Sequence, residues 1–161
     1  KSASRCFDEL EYLNVNVLGM KGKSRVINIP GDREQLWQQI KNVLRNPVIR
    51  RFVLREDMKL EKKAGISALC EYSLLSDNVY PTYAVTKKEL KDSAVKVEKQ
   101  VSELEEIGCV VLELGYFIDF SGKGLQDPLS VVLSLTGEEQ EEERVDISIN
   151  EMLEEYVWSK D

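Results

Sequence analysis

Histidine is absent from the 161 residues of this chain. With it go Ser-His and Cys-His nucleophile pairs, histidine metal ligands, and the one side chain that titrates near neutrality without perturbation. Cysteine is scarce: Cys6, Cys70 and Cys109 are widely separated, odd in number and without C-x-x-C spacing. They indicate neither a zinc knuckle nor a redox pair and fit a reducing compartment. Cys70 and Cys109 lie in apolar runs, as small buried hydrophobes do. Proline and glycine number only four and nine, too few for a collagenous or low-complexity chain. No apolar run approaches the roughly 18 residues of a membrane span. The opening residues lack the apolar core of a signal peptide, and there is no Asn-x-Ser/Thr sequon. An intracellular protein of cytoplasm or nucleus, not a secreted one, is expected.

What is present is globular: 42% hydrophobic and 32% charged residues in 18.4 kDa. A chain of this size buries about two-thirds of its unfolded surface without a staple. Its charge is uneven. Residues 1–99 hold 19 Lys/Arg against 13 Asp/Glu, and residues 100–161 hold 3 against 16. Basic and acidic halves on separate faces would allow head-to-tail association or contact with an anionic partner; interleaved halves would merely solubilise the surface.

Hydrophobic periodicity predicts the elements. Residues 10–18 alternate as a strand, turn through residues 19–23 and return over residues 25–29, a hairpin. Asp32 and Gln35 open a helix whose apolar face is Leu36, Trp37, Ile40, Val43 and Leu44. Strands are expected over residues 48–54 and 66–75. Thr86 and Glu89 make a second capping box before a long helix with Leu90, Ala94, Val97, Val101, Leu104 and Ile107 on one face, stopped by Gly108. Residues 109–120 alternate as a strand, and residues 129–136 and 144–149 complete an antiparallel meander around the acidic loop 137–143. Asn150 caps a final helix carrying Met152, Leu153, Tyr156 and Val157. The expectation is one α+β domain over 1–161, with 1–9 a flexible arm. It has a mostly antiparallel sheet of about six or seven strands and one short, one long and one C-terminal helix.

Residue patterns that carry chemistry are few. Residues 19–24 (GMKGKS) end like a phosphate-binding loop, but Val17 stands where the motif requires glycine and the segment is a hairpin turn. Glu113 and Asp119 are the acids of the 109–120 strand and are expected on its solvent face. Neither a cofactor, a metal nor a small-molecule substrate is expected. Arg45, Arg50, Arg51, Arg55, Lys59, Lys62 and Lys63 are candidates to bind an anionic partner, with Arg50 and Arg51 on opposite faces of their strand. Val79, Tyr80, Pro81 and Tyr83 are candidates for protein contact: proline stiffens the segment, and tyrosine is favoured at interfaces. The alternative is that this segment lids its own core.

The order of elements from Tyr12 to Leu60 adds a comparison. The strand EYLNVNVL, the basic turn KGKSRVINIP, the helix DREQLWQQIKNVL and the strand opening NPVIRRFVL together resemble the start of the rhabdovirus matrix protein core, that of plant-infecting members especially. The resemblance covers about a third of the chain and carries over no residue by position. The long helix has no counterpart there, and the acidic C-terminal third differs from matrix proteins that meet membranes through basic surface. The resemblance implies a virion structural protein that self-associates beneath a membrane and contacts the nucleocapsid. The functional expectation is a non-enzymatic interaction and self-assembly protein, a homo-oligomer with a protein partner. The alternatives are a nonspecific RNA-binding protein using the basic residues, and a Mg²⁺-dependent enzyme with an acidic site.

Overall fold

The computed structural model describes residues 2–13, 17–28, 31–76, 80–92 and 107–159. They form two compact units, residues 1–45 and 46–161.

In the first unit, α1 (Ala3–Tyr12) occupies much of the expected arm and the beginning of the expected first strand. Ser2 caps it, and Arg25 of the following hairpin ties it down through Asp8, at 2.5 Å, and Glu11. Strands β1 (Leu18–Lys21) and β2 (Ser24–Ile27) pair antiparallel around Gly22-Lys23. Gly22 has φ +64°, the left-handed conformation a two-residue hairpin turn requires. Helix α2 (Arg33–Ile40) begins where expected, because Asp32 accepts the Gln35 N–H at 2.9 Å.

In the second unit a three-stranded sheet has the order β3 (Val48–Leu54), β5 (Cys109–Leu114), β4 (Thr82–Thr86). Strand β3 runs antiparallel to β5 and β4 runs parallel to it. Strand β5 is buried through all six residues, so its two faces serve two cores. Cys109 and Val111 join Leu54, Tyr83 and Val85 on one side; Val110, Leu112 and Leu114 join Ala64 and Ala84 on the other. Central position explains this unbroken burial: a strand covered on both faces does not alternate with water.

A third core is helical and corrects the expected meander. Helices α3 (Gly65–Tyr72), α5 (Pro128–Ser134) and α7 (Glu143–Leu153) bring together Leu69, Tyr72, Val131, Val145, Ile149 and Met152. Each was expected as a strand, in whole or in part. The spacings Ile66, Leu69, Tyr72 and Val145, Ile149, Met152 are helical, and packing selects them over the period-two reading of the same residues. The start signals were local: Asp127 accepts the Ser130 N–H at 3.0 Å with Pro128 in the first turn. The acidic segment is also ordered as α6 (Gly137–Glu141), closed by a capping box between Thr136 and Glu139. Asn150 lies inside α7, which continues into a π-helical turn, Glu154–Trp158.

The class is α+β, but among the described residues the strands are five, in sheets of two and three, and one pairing is parallel. Of the expected long helix the described part is α4 (Lys87–Asp92), whose Thr86–Glu89 capping box is present; residues 93–106 lie outside the described residues.

Candidate functional site

Strand β3 presents its two arginines to opposite faces, as its alternation predicts, and each meets an acid. Arg50 Nε donates to Glu113 Oε2 at 2.5 Å, and its guanidinium lies 5.3 Å from the Phe52 ring centre. Arg51 reaches the other way, to Glu139 of α6 at 2.9 Å. Burial pushes the Glu139 carboxyl up, yet Arg51 and the Thr136 N–H together hold it below its ordinary value. Lys62 pairs with Glu89 and lies 5.2 Å from the Phe117 ring centre; Lys63 pairs with Glu71. Four of the seven basic candidates are thus ion-paired within the second unit. Arg55 and Lys59 are exposed in the same unit, and Lys59 adopts φ +46° while its N–H donates to Asp57 at 2.9 Å. Arg45 is exposed at the end of the first unit.

Glu113 corrects the expectation of a solvent-facing acid. It is 1% exposed, in the middle strand, and Arg50 opposite it in register supplies its counter-charge. A buried carboxylate persists only when paired in this way. Asp119 does face solvent; the Gly124 N–H and neighbouring loop amides lower its pKa.

The segment offered for protein contact turns inward. Val79 lies outside the described residues. Tyr80 and Pro81 are half-buried, and Tyr80 packs on the Val110–Leu114 face. Tyr83 belongs to β4, is 7% exposed, and donates its phenol to Asp57 at 2.8 Å. This donation and the Lys59 N–H, the larger of the two effects, keep Asp57 below the usual carboxylate range.

A different apolar surface emerges where β5 ends. Beyond Gly115 the chain leaves the sheet with Phe117 turned to the core, and Tyr116, Ile118 and Phe120 remain 40–53% exposed. The alternation that predicted a long strand is real, but its outer three members have no layer over them. Phe120 meets Tyr156 of the π-helical turn and Tyr72 of α3 in edge-on contacts, with ring centres 6.5 and 6.4 Å apart, and Tyr72 meets Tyr156 in the same manner at 5.1 Å. Contiguous apolar surface of this kind marks interaction sites.

Beneath this surface lies a buried polar network that the sequence did not flag. The Gln126 side chain accepts the Gly65 N–H at 3.1 Å and donates to Ser134 Oγ at 2.8 Å, while the backbone carbonyl of Gln126 accepts the Tyr72 hydroxyl at 2.9 Å. Next to it, Asp127 Oδ1 caps α5 and Oδ2 is buried without a hydrogen-bond partner. Burial, then the charges of Asp127 and Asp119, push the Tyr72 phenol up to about 12. A lone Gln-Asp-Pro carries no motif; only the convergence of α3, α5 and the 115–127 segment gives it meaning.

Among the described residues no group of His, Cys, Asp or Glu side chains is arranged to hold a metal ion, and no helix is long and apolar enough to cross a membrane. No protein-family model, curated protein or solved structure matches the chain.

Proposed function

We propose that this chain is a non-enzymatic binding and assembly protein, acting through protein–protein contact and associating with further copies of itself. The observation that carries the reading is the exposed row Tyr116, Ile118 and Phe120, extended by Tyr156, on a unit of strongly negative charge. Residues 46–161 contain 24 Asp/Glu and 14 Lys/Arg, whereas residues 1–45 contain 5 and 8. An apolar row gives affinity, and unlike charge on the two units orients one copy against another. The role of a matrix protein, layered beneath a membrane and touching a nucleocapsid, is the specific form of this proposal that the sequence resemblance suggests.

Sedimentation velocity over a range of concentrations, at low and high salt, tests it. The wild-type chain is expected to associate reversibly, less so at high salt, and Ile118→Asp is expected to remain monomeric with an unchanged circular dichroism spectrum. A wild-type chain that stays monomeric throughout overturns the self-assembly reading.

A further inference from the structure

We propose that the outer edge of β3 pairs antiparallel with β3 of a second copy, joining two three-stranded sheets into one. This pairing rests on the self-assembly reading: the row Tyr116, Ile118 and Phe120 supplies the first contact between copies, and the strand edge a second, weaker one.

Strand β3 stands at one end of its sheet, and no described strand lies beyond it. Two hydrogen bonds fix which of its backbone groups face outward. The Val110 N–H donates to Pro81 O at 2.9 Å, on the β4 side, so the neighbouring Cys109, Val111 and Glu113 turn their backbone groups toward β3. Their partners in register are Leu54, Phe52 and Arg50, and Leu54 O accepts the Gly108 N–H at 2.8 Å on that same side. The N–H and C=O groups of Arg51 and Val53 therefore point away from β5. Among the described residues none hydrogen-bonds to them. Unpaired groups along a sheet edge are a template for another strand.

The residues on this edge select a copy of itself. A twofold axis at Phe52 sets Arg51 opposite Val53 of the second copy, and because the backbone groups of both face outward they bond reciprocally. The same register sets Arg50 opposite Leu54 of the second copy and the two Phe52 rings opposite each other, so no arginine directly faces an arginine. A shift of two residues, the smallest that keeps outward-facing groups paired, would put Arg51 against Arg51 or against Arg55 of the second copy. Like charges directly opposite are destabilising, so the register centred on Phe52 is favoured. Within each copy Glu113 and Glu139 already neutralise Arg50 and Arg51, which lowers the repulsion between the two edges. Phe52 and Val53 are half-buried, and each gains cover: Phe52 from its counterpart and Val53 from the apolar stem of the opposing Arg51.

The open run is short. A register shift between Val48 and Arg50 interrupts the ladder, and such irregularities, like charged residues, limit pairing at an edge. Arg50 to Leu54 is the length left to pair. A two-stranded contact of that length is marginal in water by itself, which suits a contact that forms only where another surface has already brought copies together.

Hydrogen exchange of the full wild-type chain, dilute and concentrated, tests the pairing, with sedimentation velocity reporting association in the same samples. Exchange of the Arg51 and Val53 amides is expected to slow at least about tenfold on association, while the Phe52 amide, bonded to β5, is protected throughout. Phe52→Cys under mild oxidation with diamide is expected to give a disulfide between residue 52 of two copies, because opposite positions of a non-hydrogen-bonded pair bring their Cβ atoms close. Arg51→Cys, which meets Val53 instead, should give at least about tenfold less of the corresponding disulfide. Val53→Pro removes an outward N–H, which an edge strand tolerates, and should lower the mass of the largest species about twofold. Association that leaves the Arg51 and Val53 amides unprotected overturns the edge pairing and leaves the exposed row as the self-contact. Protection without the disulfide in a folded Phe52→Cys chain seats another segment on the edge and overturns the pairing of β3 with itself. A chain that stays monomeric at every concentration overturns the self-assembly reading and the edge pairing together.

Discussion

Replacing Gln126 with leucine strikes the point where the helical layer is tied to the strand-connecting segments. The side chain is fully buried, and its amide joins Gly65 at the start of α3 to Ser134 at the end of α5. Leucine has similar bulk, so the cavity left is small and the loss is electrostatic. The hydrogen bond to Ser134 disappears, worth about 1 kcal/mol, and the Gly65 N–H loses its acceptor, a desolvation cost of about 1–3 kcal/mol. The expected destabilisation is about 2–4 kcal/mol. Urea unfolding of the full chain, followed by far-UV circular dichroism, reads this as a midpoint lowered by about 1–2 M at unchanged slope. Hydrogen exchange at the Gly65 amide should accelerate beyond the change in global stability. Gln126→Glu keeps an acceptor for Gly65 but loses the donor to Ser134. Burial raises the folded-state pKa of the new carboxyl above its unfolded value, so its penalty relative to wild type is smallest at low pH and grows as pH rises through that folded pKa. A midpoint within about 0.3 M of wild type for Gln126→Leu, with Gly65 still protected, would refute the hub.

Three further outcomes follow from the same geometry. The Tyr72 pKa is raised from 10.0 to about 12, so its contribution is complete below pH 10 and lost as pH climbs through 12; Tyr72→Phe should remove the latest phase of the tyrosine absorbance titration and cost about 1 kcal/mol at neutral pH. Glu89 is lowered to about 2, chiefly by Lys62 and then by the Thr86 N–H, so its stabilisation is present above pH 4.5 and lost on acidification through pH 2. Because both partners are substantially solvated, Glu89→Gln should cost below about 1 kcal/mol in urea titrations at pH 7, and less as the pH falls toward and through 2. Gly124 has φ +73°, and a Cβ there would stand 2.8 Å from the Glu61 carbonyl; Gly124→Ala should lower stability by about 1–3 kcal/mol, and a thermal midpoint equal to wild type would contradict that fit.

The expectation of a basic surface shows what neighbours do to a charge pattern. Read along the chain, Arg50, Arg51, Lys62 and Lys63 are a cluster of one sign. Folding delivers Glu113, Glu139, Glu89 and Glu71 to them, two of these from the acidic third. The charge asymmetry of the sequence is thus partly cancelled across β3 and remains between the units. Glu113 illustrates the same point from the other side, since nothing within β5 announces that an arginine 63 residues away will neutralise it.

Local chemistry settled what is decided within a few residues. The Gly22-Lys23 turn, the Asp32 cap of α2, the Thr86–Glu89 box and the apolar strand β3 each carry their own signal, because hydrogen bonds over three residues and alternation over seven need no distant partner. The stretches 66–72 and 143–149 did not, and in 128–134 only the Asp127-Pro128 start did, because the apolar residues of all three satisfy both a period of two and a period near 3.6. Only mutual burial of α3, α5 and α7 makes the helical choice the stable one. The exposed row at Tyr116, Ile118 and Phe120, and the unpartnered oxygen of Asp127 beside it, belong wholly to the tertiary level: exposure and missing partners are properties of what a side chain meets in space, which no linear pattern specifies.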